Sequence, residues 1–106
     1  MSRHFFKTLY QGKPATVLLG YDQPLNGFFM VIEEDGQEGD EYIYSNLFDE
    51  VSHPSTLEPY RERLNELGIF VPTEMLMEVE TDGAARMGNK NVHHSIVNGT
   101  HCREVD

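Results

Sequence analysis

The chain has 106 residues, near the commonest size of one domain and too short for two ordinary ones. Apolar residues make up 39% of it, with six Phe and five Tyr, which is enough for a core and excludes wholesale disorder. Against 18 acidic residues stand 8 basic ones, and the formal charge of −10 disfavours unspecific binding to nucleic acid or an anionic membrane.

Arg3 to Gln11 alternates loosely, with Phe5 and Leu9 on one side and Phe6, Thr8 and Tyr10 on the other. Gly12-Lys13-Pro14 is turn chemistry, and Ala15 to Tyr21 is a β-branched and apolar run. Asp22-Gln23-Pro24-Leu25-Asn26-Gly27 makes a second connection. Phe28-Phe29-Met30-Val31-Ile32 is the most apolar segment and predicts a central strand. An acidic tip with two glycines follows over Glu33 to Asp40, then a short strand over Glu41 to Ser45.

The second half reads as helix. Ser55 or Thr56 suits an N-cap, and Leu57, Tyr60, Leu64 and Leu67 recur at helical spacing. Pro59 falls in the first turn, where its missing N–H matters least, and Gly68 suits the C-terminal cap. Thr73 can cap a second helix containing Met75, Leu76 and Val79, with Ala84 and Met87 as further members and Glu74 and Glu78 in its early turns. Val92 to Val97 is either a fifth strand at a sheet edge or part of a loose tail. The predicted fold is therefore α+β: an antiparallel four- or five-stranded meander sheet packed on two helices, ββββαα with an optional last strand. Residues 1–97 are expected to form one domain, and residues 98–106 a disordered tail.

Cys102 is the sole cysteine, so no intrachain disulfide can form, whereas small secreted domains often carry several. The stretch Met1-Ser2-Arg3-His4-Phe5-Phe6-Lys7 has no apolar signal-peptide core, and no run approaches the roughly 18 apolar residues of a transmembrane helix. A cytoplasmic location is the expectation. Asn98-Gly99-Thr100 fits a glycosylation sequon, which without a secretion signal reads as coincidence.

Several phrases together carry a resemblance: Leu19-Gly20-Tyr21-Asp22-Gln23-Pro24-Leu25, Tyr44-Ser45-Asn46-Leu47, Leu67-Gly68-Ile69-Phe70-Val71-Pro72 with Met75, and Gly88-Asn89. They resemble a group of small uncharacterised bacterial proteins, some from mobile or accessory genome regions. The resemblance covers most of the chain to about Asn89 and implies a bacterial cytosolic origin and a self-contained domain. It implies no activity and no catalytic residue.

Four sets of residues are candidates for chemistry. In a meander, alternate turns share one end of the sheet, so Asp22 and Asn26 would neighbour Asn46, Asp49 and His53. A histidine beside a carboxylate can serve as a general base, but Asp, Asn and Ser also appear wherever a chain turns. His93, His94, His101 and Cys102 are all zinc-ligand types, yet their spacing fits no zinc signature, and adjacent histidines on a strand point to opposite faces. These are read as surface residues, with no metal and no cofactor expected. Glu33, Glu34, Asp35, Glu38, Asp40 and Glu41 place six carboxylates in nine residues without the order of a calcium loop, and read as a solvated hairpin tip. The aromatics Phe5, Phe6, Tyr10, Tyr21, Phe28, Phe29, Tyr42 and Tyr44 could stack bases only beside a basic groove, which Arg3, Lys7 and Lys13 alone do not make.

The resulting expectation is a small acidic interaction or accessory protein rather than an enzyme, with a protein partner or a homodimer and neither nucleic acid nor membrane as target. Two helices can cover one face of a sheet, so Phe29 and Val31 are expected on the uncovered face as a contact surface. The alternative is a small-ligand-binding domain or weak enzyme built on the polar end at residues 22–26 and 46–53.

Overall fold

The computed structural model describes residues 1–36 and 42–106. In chain order it contains β1 (Ser2–Tyr10), β2 (Lys13–Asp22), β3 (Gly27–Glu34), β4 (Tyr44–Ser45), a short 3-10 turn (Asn46–Phe48), α1 (Glu58–Leu67), α2 (Thr73–Ala84), β5 (Lys90–Val97) and β6 (Thr100–Val105). The strands form one mixed sheet in the order β4-β3-β2-β1-β5-β6. The α+β class and the antiparallel run β1 to β4 follow the expectation; the complete sheet does not. After α2 the chain returns to the free edge of β1 and runs parallel to it, pairing Ser2 through Phe6 with Lys90 through His94. A helical crossover is what permits a parallel neighbour.

The expected loose tail is a strand. Val97 pairs with Thr100 across a two-residue turn in which Asn98 and Gly99 have φ of 51° and 78°. Positive φ at both central positions defines the tight turn whose twist suits a hairpin, and Asn-Gly is its preferred sequence. The triplet read as a coincidental sequon is therefore the hairpin signal.

Period two sorts the side chains. Phe6, Val17, Leu19, Tyr21, Phe28, Met30 and Ile32 face the helices and join Tyr60, Leu64, Met75 and Val79 in the core. α1 begins without a side-chain cap: Leu57 holds the N-cap position, and Ser55 and Thr56 are exposed. Its end is as expected, with Gly68 at φ 69° donating to the carbonyls of Asn65 and Leu64. Thr73 is the first residue of α2 rather than its cap, a place taken by Pro72.

The face away from the helices carries a row running Val31, Leu18, Phe5 and His93 across four strands. Phe29 was expected to lie uncovered there, yet it is only 6% exposed. Its cross-strand neighbour is Gly20, and a Cβ on Gly20 would lie 2.6 Å from the Phe29 ring, so the ring lies over the glycine. Val31 remains half-buried on that face. β5 and β6 extend the sheet instead of folding back across it. The acidic tip falls partly on residues 37–41, outside the described residues; on its near side Asp35 accepts from Thr16 at 2.6 Å and Lys7 at 3.0 Å.

Two stability outcomes follow. Leu64 is buried in the core, so Leu64→Ala is expected to cost about 2–5 kcal/mol in denaturant unfolding. Deleting residues 98–106 removes β6 and is expected to lower the melting temperature by ~5 °C or more. An unchanged melting curve would show that the hairpin adds no stability.

Candidate functional site: a buried histidine relay

The helix-facing side of β1 reads Ser2, His4, Phe6, so a histidine enters the core in phase with a phenylalanine. His4 is 0% exposed. β5 contributes His94 at 4% exposure, two residues beyond buried Val92. From α2 comes Asp82, 1% exposed, which continues the inward stripe of Met75 and Val79 at helical spacing. A carboxylate and two imidazoles thus meet where a purely apolar junction would be the simpler solution.

They are joined in series. His4 Nε2 lies 2.6 Å from Asp82 Oδ2, His4 Nδ1 lies 2.8 Å from His94 Nε2, and His94 Nδ1 lies 2.8 Å from His101 Nε2. A neutral imidazole has one donor and one acceptor nitrogen. If Asp82 accepts from His4 Nε2, then His94 donates from Nε2 to His4, and His101 donates from Nε2 to His94. One tautomer assignment satisfies every link, and His101 brings the chain to the partly exposed edge of the sheet.

A second, ionic chain starts from the other oxygen of Asp82. Lys90 Nζ lies 2.9 Å from Asp82 Oδ1 and 2.9 Å from Glu78 Oε2. Arg103 then forks onto Glu78, with Nε to Oε1 at 2.8 Å and Nη2 to Oε2 at 2.5 Å. Charges alternate along this path, so the two carboxylates are compensated where they are least hydrated.

These surroundings move the proton affinities. Burial lowers the His4 imidazole, against the opposing pull of Asp82. Burial, reinforced by neighbouring His4, lowers His94 to about 4. Partial burial would raise the Glu78 carboxyl, but hydrogen bonds from Arg103 and Lys90 outweigh it and hold the group at about 2. Both imidazoles are therefore neutral at pH 7, and the relay is a chain of hydrogen bonds rather than of charges.

Of the four metal-ligand types named from the sequence, the structure brings together only His94 and His101. His93 points to the opposite face, where it stacks on Phe5 at 4.9 Å and meets Asp106 at 2.9 Å. Cys102 is exposed. The missed members are His4 and Asp82. Their signals are local: His4 is in phase with Phe6, and Asp82 is in phase with Met75 and Val79.

The polar end expected from the turns is wired into those turns. Asp22 Oδ1 accepts from the Leu25 N–H at 3.3 Å, and Asn26 Oδ1 accepts from the Tyr21 hydroxyl at 2.6 Å. Asn46 donates to the Ser52 carbonyl at 2.6 Å. Asp49 accepts from the Tyr44 hydroxyl and faces Arg63 at 3.6 Å. His53 lies with its backbone against Gly27. The two loops do approach each other, but Asn26 lines one cavity and Asp49 another.

His94 also marks an opening in the sheet. β1 and β5 pair only as far as Phe6 and His94, although β1 continues to Tyr10 and β5 to Val97. Between the parting strands lies a cavity of about 550 Å³, lined by Phe5, Phe6, Lys7, Thr16, His93, His94, Ser95 and Ile96. Phe5 and His93 belong to its outer side, Phe6, His94 and Ile96 to its helix side. No family model matches the chain, and no curated protein or solved structure matches it. Among the described residues no helix is long and apolar enough to cross a membrane.

The lowered imidazoles dictate an acid response. An unfolded histidine titrates near 6.5, so between about pH 6.5 and 4 the unfolded chain binds a proton that folded His94 refuses. Stability from this group is complete above pH 6.5 and is lost on acidification toward pH 4, by about 3 kcal/mol. Glu78 acts in the same direction at lower pH, from 4.5 toward 2. Urea unfolding measured from pH 7.5 to 4 should show this decline, and His94→Gln should flatten it. A flat wild-type profile would contradict the buried relay.

Proposed function

We propose that this chain is a non-enzymatic interaction protein of the bacterial cytoplasm that takes an extended segment of a partner polypeptide into the opening between β1 and β5. The observation that supports this reading is the early end of that strand pairing. Lys7 to Tyr10 and Ser95 to Val97 have strand geometry but face a gap instead of each other. Backbone N–H and C=O groups along a strand are obligatory hydrogen-bonding groups, and an added strand satisfies them.

The side chains suit the same guest. Successive residues of an extended segment point to opposite faces. On one face they would meet Phe5 and His93, on the other Phe6 and Ile96. The net charge of −10 favours a segment of positive charge and disfavours nucleic acid. An accessory role also fits the resemblance to small bacterial proteins of accessory genome regions. A ligand site at Asp22, Asn26, Asn46, Asp49 and His53 has less support, because those groups already close turns.

Selection of short random peptides displayed on phage against the immobilised protein tests the proposal. Enriched peptides should alternate apolar and basic residues and should slow amide exchange at Lys7 to Tyr10 and Ser95 to Val97. Ile96→Asp should weaken them by about tenfold or more, equivalent to 1.4 kcal/mol, and Leu25→Asp should not. Protection confined to the β4 or β6 edge would overturn the proposal. So would a concentration-dependent dimer in which the amides at the gap are already protected without peptide.

A further inference from the structure

We propose that His4, His94 and Glu78 form a binding site for a first-row divalent metal ion of the zinc type. The inference does not rest on the peptide reading: its ligands gather on the helix side of the sheet, and of the three only His94 also lines the opening. One ligand atom from each of the three residues lies within 4.8 Å of the other two. Two imidazoles and a carboxylate are a familiar zinc set, and three protein ligands leave a fourth position for water or another donor.

The nitrogen positions carry the argument. His4 Nδ1 and His94 Nε2 converge at 2.8 Å in the core. Convergent ring nitrogens share either a proton or a cation. With zinc–nitrogen bonds of about 2.0–2.1 Å and tetrahedral angles, two coordinating nitrogens stand roughly 3.3 Å apart. Opening the pair by about half an ångström therefore converts the hydrogen bond into a ligand pair. Each ring must also turn, by roughly 35°, so that its lone pair points at the ion instead of along the line between the two nitrogens.

The outer shell is already arranged for it. A metal-binding histidine usually donates its other ring N–H to a carboxylate, which fixes the tautomer and raises the basicity of the ligating nitrogen. His4 does this with Asp82 at 2.6 Å, and its free nitrogen is the one turned toward His94. His4 keeps its tautomer when it takes the ion. His94 moves its proton from Nε2 to Nδ1, and His101 moves its own from Nε2 to Nδ1, so that His101 Nε2 at 2.8 Å accepts from His94. Both imidazoles are neutral at pH 7, as ligation requires.

Glu78 is the ligand with competitors. Lys90 and Arg103 both hold it, and an incoming dication must displace the Lys90 ammonium from Oε2. Lys90 retains Asp82 as a partner at 2.9 Å when it yields. This competition gives the site a signature that a merely structural cluster lacks: removing the positive charge of Lys90 strengthens metal binding. The bound ion would clamp β1, α2 and β5 together and stabilise the fold by mass action.

The test uses the full chain without an affinity tag. Calorimetric titration with zinc chloride at pH 7.5 should show one ion per chain, with a rise in melting temperature. His94→Gln and Glu78→Gln should weaken binding by about tenfold or more, the range seen when a ligand or its orienting partner is lost. His93→Ala and Cys102→Ser should leave it unchanged, and Lys90→Met should tighten it. X-ray absorption at the zinc edge of the wild-type complex should report two imidazoles and only nitrogen and oxygen donors, which keeps the test decisive if a variant fails to fold. No binding by the wild type, a sulfur donor, or loss on His93→Ala instead of His94→Gln would overturn the site.

Discussion

The buried carboxylate of Asp82 is the constraint on which this corner of the molecule depends. It sits in the apolar stripe of α2, and each of its oxygens has a partner from a different segment: His4 on β1 at one, Lys90 at the start of β5 at the other. An unpaired charge in that position would be prohibitive, so α2, β1 and β5 can be packed together only in the arrangement that keeps both contacts. Once His4 is held at one nitrogen, its other nitrogen has one direction left, and His94 lies there. The relay and the ionic chain are both consequences of where Asp82 points.

The two halves of the core consequently do different work. Around Leu19, Met30, Ile32, Tyr60 and Met75 the contacts are apolar and non-directional, and they supply most of the burial. At the junction of α2 with the parallel pair the contacts are directional. A slip of β5 by one residue would carry His94 to the outer face and His93 to the inner one, and the chain of hydrogen bonds would be lost. The polar cluster thus pins the register of a strand pairing that no tight turn enforces. The same residue, His94, is where that pairing ends and the sheet opens, so the best-determined part of the parallel ladder adjoins its unpaired part.

The outer face tells a related story about how an apolar segment is accommodated. Phe28 through Ile32 supplies side chains to both faces, and two helices cover only one. The chain resolves much of this locally: Phe29 lies over Gly20, where no side chain competes for the space, and Thr16, Lys7 and Glu33 make a polar row beside Leu18 and Val31. What remains apolar is a narrow band, half-buried by its own neighbours. Beside it the pairing of β1 with β5 stops at Phe6 and His94.

Local chemistry was legible in the residues alone. Alternation marked β1 to β3 and sorted their faces, Leu57 to Leu67 announced α1, Gly68 ended it, and His93 and His94 were placed on opposite faces by period two. The Asn98-Gly99 hairpin was equally legible, because a turn with two positive φ angles selects that dipeptide, although the polar residues after it mimic a tail. The parallel docking of β5 on β1 was not legible. It joins segments some ninety residues apart, and no local rule states which edge of a sheet a returning strand will choose. The candidate site depends on that choice. His4, Asp82 and His94 each show in sequence only as a polar residue on an apolar stripe; the tertiary structure alone made them neighbours, because burial leaves a carboxylate and two imidazoles no stable arrangement except against one another.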